Sequence, residues 1–317
     1  MSLDIGRISD FLLELYRDAN QRRPDEFQLD TLARLREFVP FDFGAWGGGL
    51  EATRQVTDVV TLDQSSDLFT QWSAVAAVDG YCDLALRRLN RTVMFDDLSD
   101  FRQTVAYNEH WRRFDARNMV ATIMAEPVDG YVSFVGLCSA DIRRTYSEAE
   151  RQRTQLLMPH ISSALRLSRE SSVVTAGMQS EGVGLVNSAG SILASRAPFQ
   201  HLIREEWGHR QPPVPAAILP VRSGAACWRG EAIQLRLERL GLCFLLRVRA
   251  SNPLDRLTSR EREVAERFAL GGTHKEVARA LGIAPSTVRN HIAGVYDKLG
   301  VNDKAQLASL VQGGDAW

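Results

Sequence analysis

Two adjacent residues near the C-terminus, Arg289 and Asn290, are of the types that hydrogen-bond base edges in pairs, Arg to guanine and Asn to adenine. They lie in a stretch where Val288, Ile292, Val295 and Leu299 fall within about 40° of one another on helical steps and so share one buried stripe. The opposite side carries Ser286, Asn290, Ala293 and Asp297, flanked by Arg289. A helix with a short, polar outer face and one Arg fits into a major groove. His291 falls beside the apolar stripe and reads as a packed helix residue.

The elements that must position this helix are legible around it. Thr258-Ser259-Arg260-Glu261 and Thr273-His274-Lys275-Glu276 are capping boxes that open two short helices. Gly271-Gly272 closes the first, and Gly282 suits the left-handed end of the second. Pro285 opens the third helix, Gly300 ends it, and Asn302 is placed to cap a fourth that runs to about Gln312. A short helix, a turn at 282–284 and a second helix make a helix-turn-helix.

The segment Leu257-Thr258-Ser259-Arg260-Glu261-Arg262-Glu263-Val264 resembles the opening of the LuxR-type (GerE-type) DNA-binding domain. So do Gly272 to Ala278, Ser286-Thr287-Val288-Arg289-Asn290-His291 and Lys298-Leu299-Gly300-Val301, in family order and without a gap over about 257–312. The resemblance implies a four-helix domain, dimeric through its last helix, that binds an inverted repeat in double-stranded promoter DNA. It places Arg289, Asn290 and Ala293 at bases, and Thr273, Lys275, Ser286, Thr287 and Lys298 at phosphates. RNA polymerase is a further partner implied by an activator, the commoner behaviour in the family. Two positions depart from the pattern: Ala284 stands where a capping Ser is usual, and Lys304 where an Arg is usual. Residues 254–317 carry nine basic and eight acidic side chains, so one copy should release few counterions and a homodimer is expected. Leu307, Leu310 and Val311 are the expected contact row, with the helix through Ile161 a second candidate.

Upstream, two helices are expected within 1–40, then strands over Phe41–Leu50 and Val56–Leu62 joined at Gly47, Gly48 and Gly49. A helix-prone stretch runs from Asp67 to about Phe114, followed by strands at Met119–Glu126 and Tyr131–Ser139. Ser147 to Glu150 is a capping box for a helix to about Glu170, which Pro159 should kink, and Ser171–Gln179 reads as a linker. A hairpin at 182–195, a helix from Pro198 to Trp207 and two period-two strands within 233–248 complete a shorter unit. The expected fold class is α+β and multidomain. Residues 1–172 form an α/β/α sandwich resembling GAF and acyl-homoserine-lactone-binding modules, 178–250 a small α+β unit resembling PAS domains, and 257–317 the all-α helix-turn-helix domain.

That resemblance implies a small organic ligand in an apolar pocket. Trp72 with Tyr81-Cys82-Asp83 loosely resembles the Trp, Tyr and Asp of the lactone binders, and Trp46, Trp111 and Tyr131 complete the candidate lining. A buried Asp walled by Trp and Tyr would suit a ligand bearing an amide or hydroxyl. Each of these aromatics, taken singly, also fits plain core packing.

Composition excludes several inputs. The chain has 317 residues, 38 Lys plus Arg against 39 Asp plus Glu, and its only lysines are Lys275, Lys298 and Lys304. No receiver-domain lysine, phosphate-loop lysine or Schiff-base lysine exists in the first 274 residues, so control by phosphorylation or ATP is not expected. Cys82, Cys138, Cys227 and Cys243 lie far apart, with no metal-ligand spacing and no expected cofactor. No paired carboxylates or nucleophile motif support an enzyme. Charges at Asp4, Arg7, Asp10 and Glu14 argue against a secretory leader, and Leu240–Leu246 is too short to span a bilayer, so a cytoplasmic protein without membrane contact is expected. A regulator with no ligand, controlled by a protein docking on the N-terminal domains, is the alternative reading.

Overall fold

The computed structural model describes residues 5–177, 182–219, 226–251 and 253–312. The chain is α+β and divides into two compact units, Met1–Trp228 with Ile233–Arg249, and Arg229–Ala232 with Ala250–Trp317.

The first unit opens with α1 (Ile5–Ala19) and α2 (Pro24–Leu35), where Pro24 takes the first turn and its missing N–H costs no hydrogen bond. Strands β1 (Phe43–Leu50) and β2 (Gln55–Leu62) follow. The helix-prone stretch is broken into α3 (Asp67–Trp72), α4 (Gly80–Arg87) and α5 (Val105–Glu109), with a three-residue strand β3 (Thr92–Met94) between α4 and α5. Strands β4 (Asn118–Ala125) and β5 (Tyr131–Ser139) are joined through Gly130 at φ +67°. The sheet runs β2-β1-β5-β4-β3 with antiparallel neighbours. One face packs through Phe11, Leu32, Trp46, Leu157 and Leu165 against α1, α2 and α6 (Glu148–Ala176). The other is covered by the short helices through Leu68, Trp72, Tyr81, Phe95 and Trp111. This is the expected α/β/α sandwich.

Gly47, Gly48 and Gly49 do not make the turn between the first two strands. They lie inside β1, paired with Val59, Asp58 and Val56 on one side and Phe134, Ser133 and Val132 on the other. A Cβ at Gly47 would stand 2.3 Å from the Asp58 carbonyl oxygen, and one at Gly48 1.9 Å from the Tyr131 hydroxyl. Glycine is required there for close approach of neighbours, not for a turn.

Helix α6 starts at the expected Ser147–Glu150 capping box but runs on to Ala176 as one helix of 29 residues. It passes Pro159, whose ring forfeits one backbone bond, because Leu157, Met158 and Ile161 around it are buried in the core. The last turns take in the start of the expected linker, since they bury Val173 against Val183 and Leu185 of a second sheet. Ile161 is wholly buried within its own chain and so, against expectation, is not available as a dimer contact; the side chains exposed on that helix include Gln152, Leu156 and Glu170.

The second sheet contains β6 (Gly182–Val186), β7 (Ile192–Arg196), β8 (Ala226–Arg229), β9 (Ile233–Leu240) and β10 (Cys243–Ala250), with α7 (Phe199–Trp207) after the hairpin. Its order, β7-β6-β10-β9-β8, repeats that of the first sheet. The two sheets are joined by a buried polar network. Arg169 on α6 donates to Asp58 Oδ2 at 3.1 Å and to the Tyr131 hydroxyl at 3.0 Å, and that hydroxyl lies 3.0 Å from Asp58 Oδ2. Thr57 donates to Asp58 Oδ1 at 2.7 Å, and Asn187 from the second sheet's hairpin donates to Thr57 at 3.0 Å. Ser188 donates to the Thr57 carbonyl at 2.7 Å.

The second unit contains α8 (Ser259–Ala269), α9 (His274–Leu281), α10 (Pro285–Leu299) and α11 (Lys304–Gln312), in which Leu254, Val264, Phe268, Val277, Val288, Ile292, Val295 and Leu307 share one core. Leu307 is completely buried there, so it cannot belong to the expected dimer row, and Leu310 and Val311 also pack partly against that core. The exposed residues of α11 include Ala305, Gln306 and Ser309. Asp303, not Asn302, caps this helix by accepting from Gln306 N at 2.8 Å, while Asn302 N donates to the Gln306 side chain at 2.9 Å. Among the described residues, no helix is long and apolar enough to cross a membrane, and no group of three His, Cys, Asp or Glu could hold a metal ion.

Candidate nucleic-acid interface and sensor cavity

Both expected capping boxes form. The Thr258 and Thr273 side chains accept from Glu261 N and Glu276 N, and each Glu carboxylate accepts from the backbone N–H and hydroxyl of its Thr. Gly282, at φ +65°, ends α9, and α10 begins three residues later at Pro285. Ala284 is its N-cap and offers no side-chain bond, a loss of about 1 kcal/mol against Ser. Gly300, at φ +64°, ends α10, with Val301 N donating to the Tyr296 carbonyl at 3.1 Å. Val288, Ile292 and Val295 turn inward, while Ser286, Arg289, Asn290, Ala293 and Asp297 are exposed on the far side. His291 is half-buried at the boundary.

The expected phosphate-facing residues divide. Lys275 is exposed at the start of α9, with no ion pair among the described residues, and Ser286 and Thr287 stand in the first turn of α10. The Thr273 hydroxyl is engaged with Glu276. Lys298 is held by both Glu261 oxygens, at 2.7 and 2.8 Å, which ties α10 to α8. That bond, followed by the cap bond from Thr258, holds the Glu261 carboxyl down at about 2. A phosphate contact by Lys298 must therefore share the ammonium with a carboxylate. Lys304 donates to the Gly272 carbonyl at 2.9 Å and lies 4.5 Å from the Phe268 ring centroid, so it braces the turn between α8 and α9. Arg260, which local sequence pattern gives no role beyond its capping box, donates to the Leu281 carbonyl at 2.9 Å and so supports the end of α9.

Residues 255–311 match the bacterial regulatory proteins of the luxR family. The spore germination protein GerE of Bacillus subtilis strain 168 is 50% identical over 56 residues, which are 18% of this chain and 73% of that protein. The chain belongs to the luxR family. The transcriptional regulatory protein UhpA of Escherichia coli strain K12 is 49% identical over 68 residues, 22% of this chain and 34% of that one. This luxR-family chain thus spans about a third of the length of such relatives. In fold, Escherichia coli SdiA aligns over 96% of each chain at 14% identity with a TM-score of 0.38, and the VqsR LBD domain of Pseudomonas aeruginosa over 51% of this chain and 96% of that one at 16% identity and 0.40. Likeness of that degree transfers no residue role.

The first unit of this luxR-family chain holds a cavity of about 110 Å³ between the first sheet and α3 and α4, lined by Phe43, Leu68, Trp72, Tyr81, Trp111 and Phe134 among others. The structure brings together three of the expected lining residues, Trp72, Tyr81 and Trp111, and separates the other three. Trp46 points to the opposite face of the sheet, into the core with Phe27 at a ring separation of 5.8 Å, because neighbouring residues of a strand alternate. Tyr131 belongs to the network with Asp58 and Arg169. Asp83 lies outside the lining, in a half-buried ion pair with Arg54.

The cavity's buried carboxylate is Asp79, which is 0% exposed. The indole nitrogens of Trp72 and Trp111 each donate to Asp79 Oδ2 at 2.8 Å. Its Oδ1 caps α4, accepting from Tyr81 N at 3.0 Å and Cys82 N at 3.2 Å. The signal in the sequence was Asp79-Gly80 ahead of Tyr81 and Leu84, an N-cap, whereas Asp83 sits a turn later on the solvent side. Arg54, at φ +57° in the β1–β2 turn, bonds the Ala76 carbonyl as well as Asp83 and so straps that turn to the helical layer.

Proposed function

We propose that this chain is a dimeric, sequence-specific transcriptional regulator, an activator in its usual mode, with α10 in the major groove of promoter DNA and a small organic ligand in the first unit's cavity as its input. The observation that carries the DNA-binding half is the exposed row of Arg289, Asn290 and Ala293 opposite the buried stripe of Val288, Ile292 and Val295, in a helix set by two capping boxes and two left-handed glycines. Arg289 and Asn290 read bases; Lys275, Ser286 and Thr287 hold phosphates. Thr273 and Lys298 do so only by sharing groups that already bind Glu276 and Glu261.

On a duplex bound by the wild-type chain, Arg289→Ala should cost about 1–3 kcal/mol and relax preference at one base position per half-site. Lys275→Ala should weaken binding to all sequences alike and make its salt dependence shallower by about one phosphate contact. Fluorescence anisotropy against a panel of single-base variants at several salt concentrations separates the two. Unchanged affinity and base preference for Arg289→Ala would overturn the assigned orientation of α10.

A further inference from the structure

Resting on the proposal that the first unit's cavity holds the controlling ligand, we infer that this ligand is uncharged and predominantly hydrocarbon, and that its recognition needs neither an amide nor a carboxylate. The observation is that the strong polar groups of the inner wall are already paired within the protein. A carboxylate accepts about four hydrogen bonds, and Asp79 receives four, from two indoles and two backbone amides. The two indole N–H groups are therefore engaged as well. Tyr81 donates its hydroxyl to the Val93 carbonyl at 2.9 Å. Gln64 donates to the Phe114 carbonyl at 2.9 Å and accepts from Ser65 N at 2.9 Å. Arg54, the cavity's cation, is neutralised by Asp83.

A ligand amide entering this wall would lose its bonds to water and could regain them only by breaking one of these. A ligand carboxylate would meet the fixed charge of Asp79 with no unpaired cation beside it. Cys82 and Cys138 also line the cavity, and burial pushes the Cys82 thiol up to about 12 and Cys138 higher still, so both present neutral sulfur that packs as an apolar group. Among the described lining residues, Thr61 offers a half-buried hydroxyl without a bond, room for a single polar atom such as a ketone or alcohol oxygen. Glu51 and Gln55 are exposed at the rim, and apart from that hydroxyl and the paired groups the wall between them and Asp79 is carbon and sulfur, from Phe43, Leu68, Phe69, Met119, Val132 and Phe134.

The test uses the full chain and three probes of matched length, 2-dodecanone, N-propyloctanamide and undecanoate, titrated against tryptophan fluorescence and thermal midpoint. The ketone is expected to bind at least tenfold more tightly than the amide or the carboxylate, since an unmatched buried amide loses that much. Gly136→Val, which adds methyl groups toward Met119 and Ala121 on the cavity wall, should weaken the ketone most. If the amide or the carboxylate binds as tightly as the ketone, the inference fails while the cavity stands as a ligand site. If none of the three binds, or if Gly136→Val binds the ketone unchanged, the reading of this cavity as the ligand site fails and the inference with it.

Discussion

Asp79→Ala should destabilise the first unit by about 4 kcal/mol. Two buried indole N–H groups, on Trp72 and Trp111, lose their acceptor at about 1–3 kcal/mol each, and α4 loses a cap typically contributing about 1 kcal/mol. For a unit of this size that lowers the melting temperature by on the order of 10 °C. Asp79→Asn should recover little, because its amide nitrogen presents donors where donors already point. Asp83→Ala removes only a partly exposed ion pair with Arg54 and should cost less than about 1 kcal/mol. Urea unfolding followed by tryptophan fluorescence measures all three. Equal losses for the Asp79 and Asp83 variants would mean that the carboxylate organising the cavity has been wrongly identified.

The second large effect lies between the sheets. Arg169→Met leaves the Asp58 carboxylate buried with only Thr57 and Tyr131 as donors, and such half-removed pairs cost about 3–5 kcal/mol. Burial already pushes the Asp58 carboxyl up against the pull of Arg169, so without the guanidinium it rises further. A carboxyl whose folded value stands above its unfolded one keeps its stability at low pH and loses it as pH rises through the folded value. The Arg169→Met penalty should therefore be larger at neutral than at mildly acid pH. Asp58→Leu combined with Arg169→Met should restore most of the loss, since an apolar pair of similar volume replaces both charges. A penalty that does not change with pH, and a double variant no better than the single, would mean that Arg169 does not offset the buried charge of Asp58. Because Asn187 and Ser188 reach Thr57 in the same network, its disruption should also loosen the second sheet from the first.

The parts of this fold that were legible in sequence are those set by local rules. Capping boxes at Ser147, Thr258 and Thr273, the left-handed Gly282 and Gly300, and the apolar stripe of α10 each act within one or two turns, so spacing alone reveals them. What sequence could not show depends on residues far apart in the chain. Gly48 reads as a turn former until Tyr131, 83 positions later, is seen to need its space. Trp46 and Tyr131 look like pocket walls until the pleat and the Arg169 network place them elsewhere. Strands β3 and β8, of three and four residues, are too short to show a period. Leu307 shows the same limit: an apolar residue on a terminal helix fits a partner's surface or its own core equally well, and here the core holds it.

Whether α10 reads DNA sequence is decided by incubating the full chain with a pool of random duplexes, recovering the bound fraction and sequencing it. One motif with two-fold symmetry should be enriched, since two copies of the Arg289–Asn290 face would engage one site. Recovery of a pool no different from the input, or of duplexes sharing no motif, would contradict sequence reading by α10.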